Sequence, residues 1–380
     1  MSRGTVRFIG LSGFEYPHTR VRCYRFAEVL AAHGYRTQVF SLHDRLAPRV
    51  PEAAMYGLSD PHRLWLILVA ALRLLLRPQA LLYVQKIHYH ALAALLVHRL
   101  TGAPYVLDYD DWEVGTDPYG VPLFCGFKDP RLTRSLFGSE NPERILCRVA
   151  QRAIFAVGAS RFLVERLSEF TDRVVYVPTG VDAARFQPRA TPHPGVVILW
   201  NGVVWGKMIR DNVLLLLRAL PAVILARPDV RVRIIGGGAY MEEVHRSAES
   251  MGLLDHVDFP GWIPPDAMPG ELARADIGVL PCAHDDSWHK GKSPTKLFEY
   301  MAAGLAVVVM GGEAAHIVEH GTSGFVAGDD ATLAEHLIAL AVDEKMRESV
   351  GRAARSRIEE RYSLDVLGEV LAEGLRRWWR

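Results

Sequence analysis

Apolar and polar positions along the chain fall into two alternating patterns. Short apolar runs read as strands, the purest of them buried on both faces: Thr5–Leu11, Thr37–Ser41, Ala80–Val84, Pro104–Leu107, Ala153–Val157, Val174–Val177, Val196–Trp200, Val230–Ile235, His256–Phe259 and Ala306–Val309. Between them apolar residues recur at helical spacing, over Thr19–His33, His88–Leu100, Pro142–Ala153, Ser160–Phe170, Asn212–Ala226 and from Ala331 onward. This alternation predicts an α/β protein with parallel sheets wound on both faces by helices. Ligands in such folds gather beyond the carboxyl ends of strands, so the residues that follow each strand are the first candidates for chemistry.

The segment Ser293–Gly321 concentrates these candidates. Ser293 reads as an N-cap and Pro294 as the first helical residue. Leu297, Tyr300 and Met301 follow at helical spacing, and Gly304 supplies the stop. A buried strand, the Gly311-Gly312 turn and a second helix opening near Ala314 complete the unit. An open helix N-terminus favours an anion, and Lys296 in its first turn adds a full charge for a phosphate. Glu299, one turn deeper, can accept two hydrogen bonds from a vicinal diol such as a ribose. The bare backbone at Gly311 and Gly312 allows close approach of a ligand. Together these residues point to a nucleotide diphosphate.

Other strand ends carry weaker signals. Gly13 closes the turn after the first strand, and a polar run with His18, Arg20 and Arg22 follows without a G-x-G-x-x-G, so a dinucleotide is not indicated. The fourth run delivers Asp108-Tyr-Asp-Asp-Trp112, with three carboxylates in four residues. Asp110 and Asp111 suit either a D-x-D metal site or a loop facing an acceptor; a solvated loop with an Asx turn is the plain alternative. Gly115–Asn141, rich in Gly and Pro, reads as one long irregular segment. Gly202, Trp205, Lys207 and Arg210 follow the strand at Val196, and either basic residue could meet a phosphate. Trp262 follows the His256–Phe259 strand and suits a base or the core.

Composition narrows the classes. A formal net charge of +1 gives no global field for a polyanion, so nucleic-acid binding is not expected. Cys23, Cys125, Cys147 and Cys282 form no C-x-x-C pair, which suits a reducing, cytoplasmic setting rather than a zinc or redox motif. Leu64–Leu76 is apolar except for Arg73 and is too short to span a bilayer. It reads as a buried helix or as one lying on a membrane surface, flanked by Arg63 and Arg77. The closing Leu375–Arg380, with its Arg-Trp cluster, allows either membrane contact or packing on the protein.

Three ordered signatures resemble the retaining glycosyltransferases of the GT-B fold, family 4 type. Val177-Pro-Thr-Gly-Val-Asp182 with Phe186 and Pro188 is similar to that family's exit from the amino-terminal domain. Gly202 through Gly236-Gly-Gly238 resembles its donor-diphosphate loops. Ala275-Asp276 through Glu299-Tyr-Met-Ala-Ala-Gly304 and Gly311-Gly312 resembles its donor segment, in the SP-x-KLFEYMA subtype. The first glutamate of the family's Glu-x7-Glu would fall at Gly291 and is missing. The resemblance implies two Rossmann-like domains facing each other across a cleft: residues 1–188 for the acceptor, 195–363 for the donor, and 364–380 crossing back to the first. It implies transfer of a sugar from a nucleotide-diphosphate sugar to a hydroxyl with retention, without an obligatory metal. The acceptor would be a glycan, a lipid-linked saccharide or a small molecule, met in the cytoplasm or at the inner face of a membrane. Asp110, Asp111, Lys296 and Glu299 become the expected catalytic set. Donor contacts would add Gly202, Trp205, Lys207, Arg210, Trp262, Ser293, Gly311 and Gly312, with Gly13, His18 and Arg20 on the acceptor side. The absent glutamate keeps one alternative open, a catalytically silent subunit acting as a binding or scaffold partner.

Overall fold

The computed structural model describes residues 3–76, 80–188 and 194–379, so most of the expected linker at Pro188–Pro194, Arg77 and Arg380 lie outside the described residues. The chain divides into two compact units. Unit 1 holds Met1–Thr179, Gly291–Ser293 and Leu364–Arg380; unit 2 holds Gly180–Lys290 and Pro294–Ser363.

Unit 1 is built on strands β1 (Thr5–Gly10), β2 (Arg36–Ser41), β3 (Leu81–Gln85), β4 (Tyr105–Tyr109), β5 (Phe155–Gly158) and β6 (Val174–Tyr176). They pair in parallel in the order β2-β1-β3-β4-β5-β6. Every residue of β3, β4 and β5 is buried, which is why these segments read as unbroken apolar runs. The order reverses between β1 and β3, the place where an open α/β sheet leaves a crevice at its carboxyl edge.

The closing helix Leu364–Trp378 belongs to this unit. Leu367, Leu371 and Leu375 join a core with Val6, Phe8 and Phe26. Gly368 lets the helix approach the Phe26–Ala32 helix so closely that a Cβ there would collide with Val29. Trp378 and Trp379 rest on Phe155 and Tyr35, so of the two readings of the tail the structure has these tryptophans packed on the protein.

Unit 2 repeats the scheme with β7 (Val196–Val203), β8 (Val230–Gly237), β9 (Val257–Gly261), β10 (Ile277–Leu280), β11 (Ala306–Met310) and β12 (Phe325–Ala327). All pairs are parallel, in the order β12-β11-β10-β7-β8-β9. Its reversal lies between β7 and β10.

Several sequence expectations need correction. The helix placed at Asn212 begins at Lys207 behind a Gly206 cap, which puts Lys207 and Arg210 in its first turn. The segment Gly115–Asn141 contains the helix Pro130–Phe137, capped by the Asp129 side chain, and sends Phe127 and Phe137 into the core. Ser293 does not cap the helix Thr295–Ala302; Pro294 holds the cap position, and Ser293 Oγ instead accepts the Thr179 N–H at 2.7 Å.

Arg22 and Asp108 leave the list of solvent-facing candidates. Asp108 lies within β4, and both side chains are fully buried as an ion pair. Arg22 Nε donates to Asp108 Oδ2 at 2.9 Å and Nη1 donates to the Val177 carbonyl at 2.6 Å. This one side chain thus ties the helical turn after β1 to β4 and to the chain leaving β6. Removing the carboxylate leaves a buried guanidinium uncompensated, so Asp108→Ala is expected to cost about 3–5 kcal/mol in urea unfolding. A loss under about 1 kcal/mol would mean that water or another group satisfies Arg22.

Candidate functional site

At the carboxyl edge of unit 1 the residues following β1, β3 and β4 meet. The chain leaves β3 through Lys86, which has φ of 63°, the single positive φ among described non-glycine residues. A left-handed conformation costs an ordinary side chain about 1–3 kcal/mol, so the turn is held by its surroundings. It turns the buried Lys86 ammonium onto the Asp111 carboxylate and to 3.2 Å from Glu113. His88 accepts the Cys125 N–H on Nδ1, so its Nε2 carries the proton and donates to Glu113 at 2.8 Å. Gln85, the last residue of β3, donates to Asp110 Oδ2 at 3.1 Å.

The carboxylates end in different electrostatic states. Burial pushes Asp110 up to about 7, only partly offset by Lys86. Burial acts on Asp111 in the same direction, but Lys86, Lys292 and His18 together outweigh it and hold Asp111 below the ordinary value. Burial and then the Lys86 charge keep His18 well below its ordinary value, hence neutral. His90, buried and bonded to the Gln85 carbonyl, is pushed down to about 3. Asp110 Oδ1 and Glu113 Oε2 are buried without a hydrogen-bond partner, a costly state unless something fills the space beside them. The plain reading of this loop as a solvated Asx turn therefore fails.

Among the acceptor-side candidates, the structure brings His18, Asp110 and Asp111 together around Lys86. Gly13 is buried in the turn after β1. Arg20 is spent on that turn, donating to the Glu15 carbonyl at 3.0 Å. Sequence reading missed Lys86, His88 and Glu113. The one local sign was a polar Gln85-Lys86 pair ending an apolar strand.

In unit 2 the candidates gather at the β7–β10 reversal. Lys296 Nζ lies 4.3 Å from the centre of the Trp200 ring, and a Cβ on Gly202 would collide with it. A lysine from the Thr295–Ala302 helix is thus held against the bare end of β7. Lys207 is the first residue of the 20-residue helix Lys207–Ala226 and is exposed. Trp205 stands edge-on to Trp288 at 6.3 Å. Gly311 and Gly312 both have positive φ, and the Gly312 N–H donates to Asp285 at 2.9 Å. Asn212 accepts the Ala283 N–H at 2.7 Å, tying the Lys207–Ala226 helix to the Cys282–Lys290 loop.

Two expectations come apart here. Arg210 is engaged by Asp211 and by Glu243 at 2.7 Å, so its charge is already paired within unit 2. Trp262 is 63% exposed after β9, two strands from β7, and does not pack in the core. Among the described residues no group of three or more His, Cys, Asp or Glu is placed to hold a metal ion.

The raised Asp110 couples folding to pH. Between the ordinary carboxyl value of 3.8 and about 7 the folded chain keeps a proton that the unfolded chain releases. Asp110 therefore stabilises the fold at low pH and loses that contribution as pH rises through this window. Urea unfolding of Asp110→Asn across pH ~4 to ~7.5 is expected to show the variant gaining on the parent as pH rises. Parallel curves would place Asp110 in the ordinary range.

Residues 196–343 match the family model "Glycosyl transferases group 1". A GDP-mannose-dependent alpha-(1-6)-phosphatidylinositol monomannoside mannosyltransferase of Mycobacterium tuberculosis is 29% identical over 53% of this chain and 55% of that protein. A GDP-mannose-dependent monoacylated alpha-(1-6)-phosphatidylinositol monomannoside mannosyltransferase of Corynebacterium glutamicum is 30% identical over the same shares. The chain thus spans about half the length of the curated relatives it matches. Sucrose-phosphate synthase of Thermosynechococcus elongatus superposes with a TM-score of 0.75 over 99% of each chain at 14% identity. Anabaena Alr3699/HepE, solved with UDP, superposes at 0.68 over 98% of this chain and 100% of that one at 16% identity. Two parallel six-stranded sheets wound by helices, matched to such neighbours along the whole chain, make this a two-domain Rossmann-like GT-B fold.

Proposed function

We propose that this chain is a glycosyltransferase that moves a sugar from a nucleotide-diphosphate sugar to an acceptor hydroxyl with retention at the anomeric carbon. The observation that carries the proposal is Lys296 held against Gly202 at the sheet reversal of unit 2. A full positive charge beside bare backbone at a strand end suits a phosphate. Lys207, at the open end of a long helix, supplies a second cation for the second phosphate. Glu299 on the same helix as Lys296 is assigned to the ribose diol, and Gly311-Gly312 to close approach by the donor sugar.

The chemistry asked of these groups is electrostatic. As the bond from the sugar to the diphosphate breaks, charge grows on the leaving phosphate oxygens, and fixed cations stabilise it more than the ground state. Retention without an enzymic nucleophile follows the family resemblance, in the SP-x-KLFEYMA subtype with Gly291 in place of the first glutamate. Asp110 and Asp111 of unit 1 are assigned to the acceptor. A carboxyl raised to about 7 sits where a group can accept a proton from an attacking hydroxyl near neutral pH. The relatives named above use GDP-mannose and act on phosphatidylinositol mannosides, which supports a GDP-linked donor and a lipid-linked acceptor.

Thermal shift against GDP, UDP, ADP and dTDP tests the donor half, because a ligand of the native state stabilises it by RT ln(1 + [L]/Kd) and so raises Tm. A selective shift with GDP is expected, and no shift with any of the four would defeat the proposal. Lys296→Ala is expected to weaken diphosphate binding roughly 10- to 100-fold, the worth of a hydrogen bond to a charged group. Glu299→Ala should weaken the nucleotide while leaving Tm of the free protein unchanged. An unaltered Kd in that variant would remove Glu299 from the ribose.

A further inference from the structure

The apolar run near residue 70 folds as the helix Asp60–Leu75 in unit 1, with Leu66, Ile67, Ala70 and Leu74 buried in the core. Its outer face is also apolar. Leu64, Leu68, Leu72 and Leu76 recur every four residues and are 37%, 58%, 56% and 81% exposed, with Trp65 beside them. The helix Ala91–Thr101 packs alongside and adds exposed Leu96 and Leu100. Neither 61–76 nor 91–101 contains an Asp or Glu. No helix among the described residues is long and apolar enough to cross a membrane.

A cavity of about 630 Å³ opens at the end of the same helix, beside the edge strand β2. Its lining includes Arg7, Tyr24, Gln38, Arg45 and Arg73 and contains no carboxylate. Arg7 is 6% exposed; its Nη1 donates to the Leu74 carbonyl at 3.0 Å and its Nε to Gln38 at 3.2 Å. Arg73 Nη1 donates to the Arg45 carbonyl at 3.2 Å. Three guanidinium groups are thus gathered at the last turn of the helix, next to the exposed Leu72 and Leu76. Such forks match the geometry of phosphate oxygens.

We propose that this face docks on an anionic lipid bilayer, with the leucine ridge lying among the outer acyl chains and the Arg7–Arg45–Arg73 pocket receiving a lipid headgroup phosphate. An apolar ridge adjoining a cationic pocket matches the two layers of a membrane surface, hydrocarbon beside anionic headgroups. A water-soluble anion would account for the pocket alone and leave the ridge unexplained. A second copy of the chain would cover the ridge but bring two cationic rims together. The inference does not depend on the sugar-transfer reading, because its test reads binding rather than turnover.

The test is flotation of the full chain with vesicles of phosphatidylcholine alone and with one-third phosphatidylglycerol. Binding to the anionic vesicles, weakened by salt, is expected, with much less on the neutral ones. Arg45→Ala and Arg73→Ala should each weaken anionic binding about fivefold. Leu68→Glu with Leu72→Glu should abolish it on both kinds of vesicle, with far-UV circular dichroism and Tm unchanged. Failure to bind anionic vesicles overturns the proposal. So does a rise in Tm with inorganic phosphate without vesicle binding, which would make the pocket a free-anion site. A solution mass that falls from dimer to monomer in the double leucine variant, without vesicle binding by the parent, would make the face a self-interface.

Discussion

A parallel sheet covered on both faces has no water for its central strands, so any charge placed there must bring its own partner. Unit 1 meets this constraint with the Arg22–Asp108 pair and, in β1, with Arg7, whose guanidinium donates to the Leu74 carbonyl and to Gln38. The guanidinium also closes on the Val177 carbonyl, so the groups that neutralise the core are the same ones that fix the turn after β1 against β4. Every other carboxylate of the Asp108–Glu113 segment is pushed to the strand end. There Lys86, forced into a left-handed turn, gathers Asp111 and Glu113 and leaves Asp110 to be neutralised by burial. Unit 2 obeys the same constraint differently. Its central strands β10 and β11 carry no ionic side chain, and Lys296 reaches the strand ends from a helix, lying over the Trp200 ring.

Much of this fold was legible because a doubly buried strand leaves an unambiguous trace. Ala306–Val309 could be little else, and the structure extends it by one residue to Met310. Glycine turns were legible too, since Gly304, Gly311 and Gly312 adopt the positive φ that their positions suggested. What failed was everything decided by a partner far along the chain. Arg22 and Asp108 are 86 residues apart, and nothing local distinguishes them from surface residues. Ser293 has the composition of a cap but is claimed by Thr179, 114 residues away. Arg210 is paired with Glu243, from the next helix, 33 residues away in the chain. Lys86 is hidden for a different reason: it follows a strand and precedes His88, where the apolar spacing predicts a helix to begin, whereas the structure inserts a strained turn before Ala91.

In the proposed reaction the two units divide the labour by charge, and the division follows from topology. Each sheet reverses its strand order once, between β1 and β3 in unit 1 and between β7 and β10 in unit 2, and each reversal opens a crevice at the carboxyl edge. In unit 2 that edge presents the cationic side chains of Lys296 and Lys207, which suits the stabilisation of a leaving diphosphate. In unit 1 it presents carboxylates driven apart in proton affinity, Asp111 held ionised by Lys86 and Asp110 raised towards neutrality. A pair split in this way can hold an acceptor hydroxyl by one member and take its proton by the other. Cationic charge for the leaving group and titratable charge for the attacking group are two demands of sugar transfer without a covalent intermediate, and the proposed reaction assigns the first to unit 2 and the second to unit 1.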